Sequence, residues 1–193
     1  MANSCYNTIS FFGNDKVIEQ VRSWNAALDK FEPSEDDPHS MRAIRKVFYS
    51  NEEYDETIGL GSKWVHPDSD STGSSEDQLG LQSAWHSPDL FLEHLACTLY
   101  KHDKNVVVEN IFNIEDGTIG FRYLTPLNEK KAYMQIFECD ESEPDKFEEH
   151  YLEYLTDLMV DQPNTIEVIQ KFMPDLSVDW EYINTEAFRL DDE

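Results

Sequence analysis

Four residues in two short motifs carry side chains suited to binding or reaction: Lys63 and Trp64 in Gly61-Ser62-Lys63-Trp64, and Trp85 and His86 in Ser83-Ala84-Trp85-His86-Ser87-Pro88. Two indoles, an ammonium and an imidazole can make a stacking platform for a flat ligand or an unpaired base. The same tryptophans also suit a quieter role, as core aromatics clamping a loop across a sheet. Catalysis finds less support. His86 and His94 are eight residues apart, too far to share a metal as an i, i+4 pair does, and neither an HExxH motif nor a phosphate-binding glycine loop occurs. Cys5, Cys97 and Cys139 are odd in number, lack a CxxC spacing and read as reduced, mostly buried thiols. The sequence therefore predicts no catalytic residue, no metal and no cofactor.

A second set of residues is notable for charge alone. Asp145, Glu149, Glu153 and Asp157 recur at i+4 steps after Pro144, with Glu148 beside them, and Asp175, Asp179 and Glu181 alternate along the last apolar run. Carboxylates in a first helical turn are favoured by the helix dipole, which accounts for Asp145, Glu148 and Glu149 but not for Glu153 and Asp157. Each like-charge i, i+4 pair costs ~0.2–0.5 kcal/mol, so three of them cost on the order of 1 kcal/mol, and Lys146 is the lone base of that helix.

The excess is general but uneven. The 193 residues hold 40 Asp and Glu against 15 Lys and Arg, a formal net charge of −25. Residues 1–50 contribute only −1, whereas residues 51–100 contribute −9, 101–150 contribute −6 and 151–193 contribute −9. Such a balance excludes general electrostatic binding to nucleic acid or anionic lipid. Carboxylates spaced ~6 Å apart on a helix, or ~6.7 Å at alternate strand positions, instead allow a rigid protein to occupy a basic groove in place of a phosphate backbone. A solvated acidic face is the plain alternative.

The elements that position these residues follow from periodicity. Asn7–Phe12 alternates as a strand, and Val17, Val21, Trp24, Leu28 and Phe31 form one helical stripe behind an Asn14 or Asp15 cap. Met41–Tyr49 suits a short helix or a strand. Residues 50–80 read as a long polar loop, Leu79–Trp85 as a strand, and Ser87-Pro88-Asp89 as a cap, N1 proline and acidic first turn of a helix facing inward through Phe91, Leu92, Leu95 and Leu99. Three strands then meander over 105–113, 118–124 and 131–139, followed by the helices and terminal strand of the acidic tail. The expected architecture is α+β: a ferredoxin-like antiparallel sheet with helices packed on one face, spanning 1–138, and an acidic helical extension with a terminal strand, 139–193, packed on the same domain. Neither a basic, apolar leader nor an uninterrupted run of ~18 apolar residues is present, which leads to the expectation of a cytoplasmic protein with no membrane contact.

Met1-Ala2-Asn3-Ser4-Cys5-Tyr6-Asn7, Gly61-Ser62-Lys63-Trp64 and Ser83-Ala84-Trp85-His86-Ser87-Pro88 together resemble the YubB-type ferredoxin-like domain family of phages and plasmids. Its matching stretches run M-(P/A)-N-W-C-x-N, W-G-(T/S)-K-W-D and (T/S)-A-W-S-P-P. This chain departs from them at Ser4, Leu60, Val65 and His86-Ser87-Pro88-Asp89. The resemblance covers about residues 1–138 and implies a fold and a mobile-element setting, with little chemistry. Taken with the charge, it leads to the expectation of an acidic binding protein that imitates nucleic acid and blocks a host protein with a basic groove, without binding nucleic acid itself. The partner-binding residues expected are Asp145, Glu148, Glu149, Glu153, Asp157, Asp175, Asp179 and Glu181. The alternative is a small-ligand or RNA-binding module centred on Lys63, Trp64, Trp85 and His86.

Overall fold

The computed structural model describes residues 3–31, 41–49, 60–68, 77–143, 145, 146, 149 and 150. Their elements are β1 (Ser4–Phe12), α1 (Asp15–Leu28), α2 (Met41–Phe48), β2 (Val65–Pro67), β3 (Gln78–Ala84), α3 (Asp89–Leu99), β4 (Val107–Ile114), β5 (Thr118–Asn128) and β6 (Lys131–Asp140). The strands form one six-stranded sheet in the order β2-β3-β1-β4-β5-β6, with every neighbouring pair antiparallel. The protein is α+β.

Because β3 and β4 both run antiparallel to β1, they are parallel to each other, and α3 joins them across β1. By the same reasoning β2 runs parallel to β1, with β3 between them. β5 and β6 then extend the β4 side as a meander.

Helices α1, α2 and α3 contribute to one apolar core on one face of the sheet. Ile9, Phe11, Leu79, Leu81, Val108 and Leu124 stand on that face in register and meet Val17, Val21, Trp24 and Leu28 of α1, Ile44 and Phe48 of α2, and Phe91, Leu92, Leu95 and Leu99 of α3. Trp24 and Phe91 flank Phe48 at ring distances of 5.0 Å each, contacts that add ~0.5–1.5 kcal/mol apiece to simple burial. Asn14 caps α1 as its sequence position predicts, its side chain accepting from the N–H groups of Lys16 and Val17 at 3.0 and 3.3 Å. The ambiguous 41–49 stretch is helical because Ile44 and Phe48, four apart, share the buried stripe.

Three expectations need correction. The supposed loop of residues 50–80 contains the short strand β2, and β1 begins at Ser4, three residues earlier than its alternation indicates. α3 starts one residue later than its cap motif suggests: Pro88 holds the cap position with no side-chain bond to the helix, because the Ser87 hydroxyl is engaged elsewhere. In the acidic tail, residues 145, 146, 149 and 150 are helical, with Asp145 and Glu149 exposed. Glu148, Glu153, Asp157, Asp175, Asp179 and Glu181 lie outside the described residues.

Candidate functional site

The two tryptophan motifs meet at one end of the sheet. Ser62 stitches them together: its single O–H has the carbonyls of Ala84 and Trp64 as acceptors, at 2.9 and 3.1 Å, and its oxygen accepts the Ala84 N–H at 2.9 Å, while Ala84 N–H also donates to Trp64 O at 3.2 Å. Gly61 makes this approach possible. Its φ is +75°, and an added Cβ would lie 2.7 Å from the Leu90 nitrogen at the start of α3.

β3 ends at Ala84, and Trp85 then adopts a φ of +67°. The His86 N–H donates back to Ala84 O at 2.9 Å, so Trp85 is the centre of a tight three-residue turn in the left-handed region. For a bulky L-residue that conformation costs ~1–2 kcal/mol. The expected core position for this tryptophan is therefore overturned: its side chain is displayed, with the residue 47% exposed. Trp64, half-buried, stacks on His66 at 5.1 Å, and the Lys63 ammonium sits 5.3 Å over the Trp85 ring, so each indole has its own neighbour. His86 is exposed, with Nδ1 2.8 Å from Ser87 O. His94 is remote from this group and structural, stacked on Tyr49 at 4.0 Å and bonded through Nε2 to Phe48 O at 2.8 Å.

A buried polar seam, which the sequence reading missed, fixes the turn from behind. Asn7 Nδ2 donates to Ser83 Oγ at 2.9 Å and to Cys5 O at 2.9 Å, and Ser83 Oγ donates to His86 O at 2.7 Å. Asn110 Nδ2 donates to Asn7 Oδ1 and to Ser87 Oγ, both at 3.0 Å. The strained pair Trp85-His86 is thus bracketed by Ser83 and Ser87, both fully buried and both tied to one asparagine pair. Strained backbone persists where its surroundings over-determine it, and this seam does so. Asn110 Oδ1 is buried and without a partner among the described residues.

Beside Asn110 on β5 stands Arg122, only 3% exposed. Its guanidinium donates to Asp89 Oδ1 at 3.1 Å, to Phe121 O at 3.1 Å and to Glu138, and covers the Phe112 ring at 4.8 Å. Phe112 has room to lie there because its neighbour across the strands is Gly120, where a Cβ would meet the ring at 2.5 Å. Cys5 completes the seam. Burial pushes its thiol up to about 11, against the smaller opposing effect of hydrogen bonds with Ser83 and Asn7. All three cysteines are free, and burial likewise raises the Cys97 thiol to about 11.

The other component at this end of the sheet is acidic. The Glu115-Asp116-Gly117 turn and the end of β6 lie together: Thr118 pairs with Asp140, and the Glu141 N–H donates to Gly117 O at 2.7 Å. Glu115, Asp116, Asp140, Glu141, Glu143 and Asp145 are all exposed there. Lys146, bonded to Glu143 Oε1 at 2.7 Å, is the basic residue among them, and that carboxylate raises its pKa. Hydrogen bonds from Ser142 hold Asp140 below its usual range. This acidic end joins the tryptophan turn through the start of β1: Trp85 N–H donates to Asn3 O at 2.9 Å, and Ser4 N–H donates to Glu115 Oε2 at 2.8 Å.

Among the described residues, no group of three or more His, Cys, Asp or Glu side chains is arranged to hold a metal ion, and no helix is long and apolar enough to cross a membrane. No protein-family model, curated protein or solved structure matches this chain.

Proposed function

We propose that the protein is an acidic inhibitor that works by occupancy, presenting ordered carboxylates to a basic nucleic-acid-binding groove on a host protein, such as a defence or nucleic-acid-handling complex, in the host cytoplasm. The observation that carries this reading is the convergence of two acidic turns, 115–116 and 140–143, which are far apart in sequence and adjacent at one end of the sheet. A charge excess kept only for solubility has no need to gather there. The hydrogen bonds that fix these turns also limit the mobility of the carboxylates, as a rigid substitute for a phosphate row requires.

The ferredoxin-like reading and the YubB-type relationship belong to the same proposal. Supporting them is the path of β1, α1, α2, β2, β3, α3 and β4, in which β1 separates β3 from β4 and β3 separates β1 from β2, with α2 added before β2 and β5 and β6 added outside. The alternative, a ligand or RNA module on Lys63, Trp64, Trp85 and His86, draws support from the exposure of Trp85.

Elution from a duplex-DNA column separates the two. Host-lysate proteins retained on the column at physiological salt are expected to be released by micromolar protein and not by a variant with Asp116→Asn, Asp140→Asn, Glu141→Gln and Glu143→Gln. A failure to release anything would overturn the inhibitor reading. Micromolar binding of an RNA or DNA oligomer to the protein itself would favour the tryptophan module.

A further inference from the structure

We infer that Trp85 is the arginine-reading contact of this surface: the partner is a protein that presents arginine side chains, one of which stacks on the Trp85 indole while its neighbours pair with the carboxylates of the 115–116 and 140–141 turns. The inference rests on the proposed function and adds to it a residue, a contact and a chemical preference.

Three observations lead there. First, the ring is presented rather than packed. A tryptophan in the left-handed region, half out of the protein, contributes little to the core, and any glycine at this place would hold the turn with less strain. The buried asparagine and serine seam behind it holds that display in place. Second, the face of the ring already carries a cation, the Lys63 ammonium at 5.3 Å. Lys63 is exposed and its stem flexible, so an incoming guanidinium can take its position. Third, the surroundings are negative. Trp85 and Glu115 are anchored to consecutive residues, Asn3 and Ser4, so the Trp85 turn and the acidic turn flank the first residues of β1. A planar cation that stacks and forks to carboxylates fits this combination; a phosphate backbone does not, and an ammonium fits it less well.

The test compares two labelled nonapeptides, all-arginine and all-lysine, by anisotropy titration against the full chain and its variants at low and physiological salt. Trp85→Gly removes the ring while relieving the turn, and a thermal melt at or above the parent's verifies its fold. Trp85→Phe keeps a smaller π-face. The parent is expected to prefer the arginine peptide about two- to fivefold, Trp85→Gly to lose most of that preference, and Trp85→Phe to fall between. Equal affinities in the parent, or a preference undiminished in Trp85→Gly, overturn the inference and leave the carboxylates alone to read the partner. Absence of binding to both peptides at low salt overturns the proposed function together with it.

Discussion

The turn that carries Trp85 and the turns that carry Glu115 and Asp140 share one end of the sheet, yet they are held there by opposite means. Behind Trp85 the fixing bonds are buried and come from distant parts of the chain: Asn7, Ser83, Ser87 and Asn110 draw on β1, β3, β4 and the approach to α3. At the acidic turns the carboxylate bonds are exposed to water, and although Glu115 reaches back to Ser4, those of Asp116 and Asp140 are local. Asp116 Oδ1 accepts the Thr118 N–H at 3.0 Å, and Asp140 Oδ1 accepts the Ser142 N–H at 2.9 Å, each carboxylate securing its own turn in water. A buried polar bond is costly to leave half-made, whereas an exposed one exchanges with solvent at little cost. The fold thus holds the aromatic turn from its buried side and sets the acidic turns, held by their own exposed bonds, toward solvent.

The strongest challenge to that contrast is Arg122→Met. It strips the Asp89 and Glu138 carboxylates and two strand carbonyls of a nearly buried guanidinium, and a loss of ~3 kcal/mol in denaturant unfolding is expected. Arg122→Lys should recover less than half, because an ammonium does not reach the same fork. A loss below ~1 kcal/mol would remove Arg122 from the framework.

Alkaline pH probes the seam without changing shape. The folded-state pKa of Cys5, about 11, lies above its ordinary 9.0, so the stability linked to the protonated thiol is complete below pH 9 and is lost as pH rises through 11. That loss should be on the order of 2 kcal/mol, visible as a falling urea midpoint. Cys5→Ala should flatten its part of the slope; an unchanged slope would show that this thiol is not what the alkaline limb reports.

Asn110→Ala ranks next, with an expected loss of ~1–2 kcal/mol. It leaves Asn7 Oδ1 with only the weak Cys5 thiol donor inside the core and frees Ser87 from its bond. Because the same change slackens the Trp85 turn, any arginine preference should weaken with it. Preference retained at full strength would separate the seam from the display of the ring.

The smallest effect belongs to the acidic turns. Asp116→Asn and Glu143→Gln should each shift stability by less than ~0.5 kcal/mol, and by less again in high salt, and Asp140→Asn should leave the urea midpoint nearly where it was. Large destabilisation from any one would make that carboxylate a structural group and dissolve the contrast.

Apolar periodicity made most of this fold legible. The α1 stripe, the α3 face of Phe91, Leu92, Leu95 and Leu99, and the three-strand meander all follow from burial patterns that repeat over several turns or residues. β2 escaped because three residues carry no period. Trp85 was singled out for its chemistry and misjudged for its place, since bulk argues for burial and only glycine or asparagine advertises a left-handed turn. The seam was invisible for a related reason. Asn7, Asn110 and Arg122 interrupt apolar strands and look like solvent-facing positions, and only strand register reveals that they face the helices together.

The position of β1 also governs how the chain acquires its structure in time. This strand is synthesised before the strands it pairs with but lies inside the sheet, and its Asn7 closes hydrogen bonds with residues 76 and 103 positions later. At ~5–20 residues per second, a ribosome takes roughly 5–20 s to deliver the more distant of those partners. Until β3 is made, Ile9 and Phe11 belong to a strand with both edges open, and one edge stays open until β4 follows. Contacts this remote predict slow refolding for a domain of its size and an early dependence on chaperones, with aggregation during synthesis more sensitive to β1 than to any surface charge.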